Sequence, residues 1–312
     1  THKTFINQNI TPPFSGGIIF LITFLIFLSK NNINLITLCS LTFFLGFLSD
    51  TNTLKSPNLR FILQILFLIF FIKIMNITID SIRIEFFDNL LQNEYFKIFF
   101  STFCILILIN GTNFIDGLNT LVLGYYILVL YFINLVLSDF SYISFYTESF
   151  SILFFVLIVL FFFNFFELLY LGDGGSYLLG IFFGILLIDI YNSNNTISPY
   201  YIMNLLWYPA YENLFSIIRK ISTKYSAFKP DNLHLHQLIY LNLKNFSDKK
   251  FTNTKIANTL SGLLINFFNL FIFYIATLNY SNTKYQLFIT IFLLTIYNIL
   301  YMVLKKNLNN LD

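Results

Sequence analysis

Charge is what this chain has least of. Only 11% of its 312 residues are Asp, Glu, Lys or Arg, against 57% hydrophobic and 20% aromatic, and the mean hydropathy is +0.73. That leaves too little polar surface to cover a water-soluble globule of this length, so the class is a polytopic membrane protein. Cysteine is nearly absent as well. Cys39 and Cys104 both sit inside apolar runs, which argues against a disulfide framework and reads both as small core residues. Segments of alternating polarity are missing, which excludes a membrane β-barrel. The start at Thr1 has neither an initiator Met nor the charged, apolar and small-residue regions of a cleavable signal. A further span before Thr1 is therefore expected. The abundance of Phe, Ile, Asn and Lys fits an A/T-rich genome, so single Phe and Asn positions carry little weight on their own.

Continuous apolar runs make up most of the chain. Ten are long enough to cross a hydrocarbon layer of ~30 Å: 15–29, 34–49, 58–75, 96–110, 118–137, 150–166, 175–191, 200–218, 257–278 and 284–304. The fold class expected is all-α, a helical bundle forming one integral membrane domain over residues 1–312, with an eleventh span preceding it. If the spans alternate in direction, the segments at about 1–14, 50–57, 111–117, 167–174 and 219–256, with the C-terminal tail, share one side. That side then holds 13 of the 18 Lys and Arg, and the excess of cations assigns it to the cytoplasm.

Four polar clusters fall on that side. The first runs Gly46-Phe47-Leu48-Ser49-Asp50 and continues to Lys55, Ser56, Pro57 and Arg60; a carboxylate beside two cations can bind a metal or order a phosphate. The second is Asn110-Gly111-Thr112-Asn113-Phe114-Ile115-Asp116-Gly117, followed by Asn119. Its polar residues recur at i, i+3 and i+6, which gathers them on one face of a helix or of its fraying end, and polar groups at the end of a membrane span mark function by default. The third, Gly172-Asp173-Gly174-Gly175-Ser176, reads as a tight turn. Its glycines let backbone N–H groups approach an anion while Asp173 supplies a hard oxygen. The fourth is a basic loop from Arg219 to Lys255 containing Asp231, His234 and His236. Only Asp231 could join the histidines as a zinc ligand, so anion recognition is the better reading. Together, Asp50, Asp116 and Asp173 suit Mg²⁺ or Mn²⁺, and a metal with cations at a membrane face points to phosphoryl transfer between a soluble donor and a lipid acceptor.

In this order the motifs resemble those of the polyprenyl-phosphate N-acetylhexosamine-1-phosphate transferases, the MraY/WecA group. Thr11-Pro12-Pro13-Phe14-Ser15-Gly16-Gly17 resembles its first cytoplasmic loop, Gly46 to Arg60 its acidic-pair motif and Asn110 to Gly117 its most characteristic signature. Gly172 to Ser176 is similar to its metal-binding turn, Pro209-x-x-Glu212 with Arg219-Lys220 to a Pro-x-x-Asp…Arg-Arg stretch, and Asp231-x-x-His234-x-His236 to its histidine motif. The resemblance implies that a UDP-activated N-acetylated amino sugar binds on the cytoplasmic face. The phosphate of a polyprenyl lipid, of undecaprenyl type in bacteria, then attacks the β-phosphorus and releases UMP. Carried over, Asp173 and Asp50 would hold the metal, Asp116 would support nucleotide and metal geometry, and His234 and His236 would contact the donor phosphates. Lys55 and Arg60 would attract the lipid phosphate, while Asn110, Asn113, Asn119 and Arg219 would line the substrate site. The partners implied are the UDP-sugar, the polyprenyl phosphate and a bacterial inner membrane, with no nucleic acid; a homodimer stays open.

Two positions depart from the family's pattern. Ser49 stands where the family has the first of two adjacent aspartates, and Asn119 where it often has another. An ionised phosphate monoester is already a nucleophile, so loss of that first Asp does not remove the reaction. The His-Leu-His-Gln run lacks the three consecutive histidines of the MurNAc-pentapeptide enzymes, which favours a WecA-like donor such as UDP-GlcNAc and a surface glycan as product. The alternatives are the MurNAc-pentapeptide reaction itself, a binding-only family member, and a transporter. Polar clusters gathered at one face instead of the midplane, and no clear repeat between halves, weigh against the transporter.

Overall fold

The computed structural model describes residues 13–27, 33–138, 144–222, 233–247 and 254–309, all helical or loop, with no strand among them. Thirteen helices follow in chain order: α1 (Gly16–Phe27), α2 (Ile33–Asp50), α3 (Pro57–Met75), α4 (Glu85–Leu91), α5 (Glu94–Ile115), α6 (Leu121–Ser138), α7 (Ser144–Phe165), α8 (Gly172–Ser193), α9 (Pro199–Leu205), α10 (Trp207–Ser222), α11 (Leu235–Ser247), α12 (Thr254–Leu278) and α13 (Thr283–Asn309). Seven of them, α2, α3, α5, α6, α8, α12 and α13, are long and apolar enough to cross a membrane. The protein is an all-α, multi-pass membrane bundle.

Each of the ten expected spans coincides with a helix, with one division. The run at 200–218 breaks at Leu206, whose backbone leaves the helical region at φ −110°, ψ 6°. Pro209 explains where the chain restarts. It has no N–H to give and is tolerated in the first turn of a new helix but not inside a continuous one, so α10 begins two residues before it. The short helices α4 and α11 lie outside every expected span. Expected loops are also helical in part: α5 runs on to Ile115 with Asp116 as its C-cap, α8 already begins at Gly172, and the 219–256 segment holds the end of α10, α11 and the start of α12.

Local signals set the helix ends. Ser56 caps α3 by accepting from Leu59 N–H, with Pro57 in the first turn, and Asn76 closes that helix in the left-handed region at φ 52°. Asn93 caps α5 through the N–H groups of Tyr95 and Phe96.

Helix α8 is the axis of the bundle, buried along nearly its whole length against α2, α5 and α1. Water does not drive this packing inside a bilayer; close approach does, through small residues and polar contacts. A Cβ on Gly17 would lie 2.6 Å from the backbone of Gly175, and one on Gly46 would overlap the backbone of Asp173 and Gly174. α1 and α2 therefore touch the first turn of α8 backbone to backbone. Outer helices turn their apolar side chains outward, as in Phe288, Ile291 and Ile299 of α13.

At the end of the bundle away from Asp50 and Asp173, Arg83 ties separate connections together. Its guanidinium donates to the carbonyls of Asn195 and Ile197 and to Thr283 Oγ1, from a backbone at φ 57°.

Candidate active site

Asp50, the last residue of α2, caps α8. Its carboxylate accepts from the N–H groups of Asp173 (3.0 Å) and Gly174 (3.2 Å), where an anion also meets the positive end of the helix dipole. Gly172, at φ +82°, makes room for it: a Cβ there would sit 2.6 Å from Asp50 Oδ2. The glycine-rich turn does offer its N–H groups to an anion, as expected, but the anion is the protein's own carboxylate.

Asp173, held at that first turn, is met by α2 and α3. Ser49 Oγ donates to Asp173 Oδ2 at 2.7 Å, and Arg60 Nη1 pairs with the same oxygen at 3.2 Å while also contacting Ser49 Oγ. The hydroxyl at 49 is thus a neutral donor where the family's aspartate would have set a second negative charge against Asp173. Lys55 stays exposed on the 51–56 connection and makes no hydrogen bond or ion pair with the described residues.

The signature at the end of α5 fans out to its neighbours. Asn110 Nδ2 donates to Gln64 Oε1 of α3 at 3.1 Å. Asn113 Oδ1 accepts from Ser176 Oγ at 3.0 Å, which fixes it against α8 three residues beyond Asp173. Asp116 is half-buried at the helix end. Asn119 is buried at 4% exposure. Its Nδ2 donates to Glu167 Oε1 at 3.2 Å, and Glu167 Oε2 pairs with Lys255 at 3.0 Å. An aspartate at 119 would face that carboxylate, so this departure too is a neutral donor opposite an acid.

The histidine motif closes over the same helix end. His234 Nδ1 lies 2.9 Å from Glu212 Oε1, both side chains 1% exposed, and the same oxygen accepts the N–H of Leu235 at 3.2 Å. The imidazoles of His234 and His236 stack at 5.6 Å and 22°. His234 lies 5.1 Å from the Phe114 ring, and His236 Nε2 is 3.0 Å from the position of a Cβ on Gly117. Lys220, buried at 4% exposure, holds its ammonium 6.0 Å over the same Phe114 ring. Arg219 beside it is half-buried and bonds Ser216 of its own helix. Asp231 and the Thr11-Pro12 start of the first motif lie outside the described residues.

The structure thus joins the candidates into two groups. Ser49, Asp50, Arg60 and Asp173 form one, with Asn113 reached through Ser176. His234, His236 and the Phe114–Gly117 turn form the other, and α5 carries residues of both. Sequence reasoning missed Gln64 and Glu167, and named Glu212 and Lys220 in a motif without giving either a role. Gln64 was legible as a lone amide inside the apolar run 58–75.

For a divalent cation the donor set is narrow, and no group of three or more His, Cys, Asp and Glu is placed to hold one among the described residues. All the hydrogen bonds and the ion pair on Asp173 fall on Oδ2, which leaves Oδ1 for a ligand. That fits Mg²⁺, which keeps waters and binds through one or two carboxylates plus substrate phosphates. It does not suit a fully protein-enclosed metal.

No curated protein matches the chain. One family model, described as glycosyl transferase family 4, matches residues 32–191, slightly more than half of the sequence and the part that carries Ser49 to Ser176. The chain belongs to that family, the MraY/WecA type, whose members transfer a sugar phosphate from a nucleotide donor to a polyprenyl phosphate in the membrane.

Proposed function

We propose that this protein transfers an N-acetylhexosamine 1-phosphate from a UDP-sugar to undecaprenyl phosphate at the cytoplasmic face of a bacterial inner membrane. UMP leaves, and the product starts a surface glycan such as an O-antigen or a capsule. The observation that supports the reading most is the convergence on Asp173. Ser49, Asp50 and Arg60 of one motif, carried on α2 and α3, meet the first turn of α8, which carries a second, and the guanidinium among them is suited to a phosphate.

In the reaction, an oxygen of the lipid phosphate forms a bond to the β-phosphorus of the donor. The bond from that phosphorus to the oxygen it shares with the α-phosphorus breaks, and UMP carries that oxygen away. The attacking phosphate is already ionised, so no side chain has to remove a proton. Arg60 draws the lipid phosphate toward Asp173 and offsets its charge. Mg²⁺ or Mn²⁺, held by Asp173 with Asp50 beside it, would neutralise charge on the pyrophosphate. Asn110, Asn113 and Asp116 shape the wall between the two groups, and His234, His236 and Lys220 face the donor phosphates. The His-Leu-His-Gln sequence supports UDP-GlcNAc or a modified relative over the MurNAc-pentapeptide donor.

The test incubates purified protein with polyprenyl phosphate, Mg²⁺ and a panel of UDP-sugars that includes the MurNAc-pentapeptide donor, and measures UMP. UDP-GlcNAc or a relative is expected to release UMP, and Asp173→Asn to stop it. No release with any donor, or release untouched by Asp173→Asn, would overturn the reading.

A further inference from the structure

Glu212 is a carboxylate almost without water around it. It sits on α10 at 1% exposure, beside the hydroxyls of Tyr208 and Tyr297. Placing an ionised group there is costly unless specific partners repay it. Two groups bond its Oε1, the ring of His234 and the backbone N–H of Leu235. Leu235 is the first residue of α11, so one oxygen from another helix caps α11 and holds the histidine that precedes it. Gln237 Oε1 accepts the N–H of His234 at 3.2 Å and closes the cap from the other side.

A carboxylate can only accept. Nδ1 of His234 therefore carries the hydrogen of this bond, and the hydrogen bond at one ring nitrogen sets the role of the other. The ring held in this way packs on Phe114 and stacks on His236, which in turn abuts Gly117. Glu212 thereby sets the tautomer of His234, the azimuth of its ring and the placement of α11 over the end of α5.

We propose that Glu212 is a positioning residue for donor binding. It acts through His234, whose ring it fixes against Phe114 and His236 at the end of α5, an inference that rests on the donor-side role given to the histidines above. Comparable supporting partners of functional histidines are worth about 10–100-fold when removed.

Two readouts test it, one independent of turnover. The chain has three histidines, so protein labelled with ¹⁵N at the imidazoles gives few signals, and His234→Gln assigns the one of interest. The Nδ1-protonated signal of His234 is expected in the wild type and in Glu212→Gln, whose amide oxygen still accepts, and is expected to disappear in Glu212→Leu. Its survival in Glu212→Leu would overturn the positioning role even if no donor were ever turned over. In kinetics, Glu212→Leu is expected to lower kcat/KM for the UDP-sugar about 10–100-fold with the KM for lipid phosphate unchanged, and Glu212→Gln, which keeps the acceptor, to stay close to the wild type. On a His234→Ala background Glu212→Leu should cost nothing further. A loss shared equally by both substrates, or a full additional loss in the double variant, would overturn the proposal. Glu212→Gln keeps the acceptor and the cap on Leu235, so a loss of about 10–100-fold in its donor kcat/KM would overturn the proposal even if Glu212→Leu does not fold.

Discussion

Gly172→Ala tests the link between Asp50 and the first turn of α8. The native backbone there is left-handed at φ +82°, and the added methyl would lie 2.6 Å from Asp50 Oδ2, well inside contact distance. Holding an alanine in that conformation costs about 1–2 kcal/mol. Pushing Asp50 aside forfeits a helix cap made through two N–H groups, about 0.5–2 kcal/mol more. The combined loss is about 1.5–4 kcal/mol, read as a lowered midpoint of thermal unfolding in detergent. UMP release should fall further than stability does, because the same displacement moves the turn that carries Asp173. The two costs separate in a cycle with Asp50→Ala. Once the carboxylate is gone, Gly172→Ala should cost only the backbone part, about 1–2 kcal/mol. A Gly172→Ala protein that unfolds with the wild type and keeps full activity would refute the close fit between Gly172 and Asp50.

Gly117→Ala places a methyl 3.0 Å from His236 Nε2. The imidazole has to shift by a few tenths of an ångström, so kcat/KM for the UDP-sugar should drop several-fold while thermal unfolding barely changes; an unaltered donor kcat/KM would contradict the docking of His236 on this turn. Arg83→Ala should do the reverse. It removes donors to Asn195, Ile197 and Thr283, so stability should fall by about 1–2 kcal/mol with UMP release per folded molecule intact. Lysine, with a single ammonium, should not restore it.

Composition and run length carried nearly all of the fold. A membrane helix has to satisfy its own backbone and stay apolar over most of its length, and that requirement is written continuously along the sequence. The break at Leu206 was legible only through Pro209. Helix α11 was hidden because its polar and apolar residues mix within a basic segment, and its placement comes from Glu212, a residue 23 positions from Leu235. In the site, Asp50, Asp173, Asn113 and the two histidines could be named from their motifs. Their pairing could not, since contacts such as Ser49 with Asp173 or Asn119 with Glu167 span 124 and 48 residues. Ser49 and Asn119 read as lost charges in the sequence. In three dimensions each is the neutral donor that a neighbouring acid requires.

Four acids at this end of the bundle are answered from within the chain: Asp50 by two backbone N–H groups, Asp173 by Arg60 and Ser49, Glu167 by Lys255 and Asn119, and Glu212 by His234 and Leu235. Mutual repulsion of carboxylates, which makes many acidic sites collapse or swell when their cations are withdrawn, is therefore largely cancelled here before any ligand arrives. On the proposed mechanism, folding would not depend on metal loading: a divalent cation would come and go with each nucleotide sugar, as a co-substrate, while the helices around it keep their places.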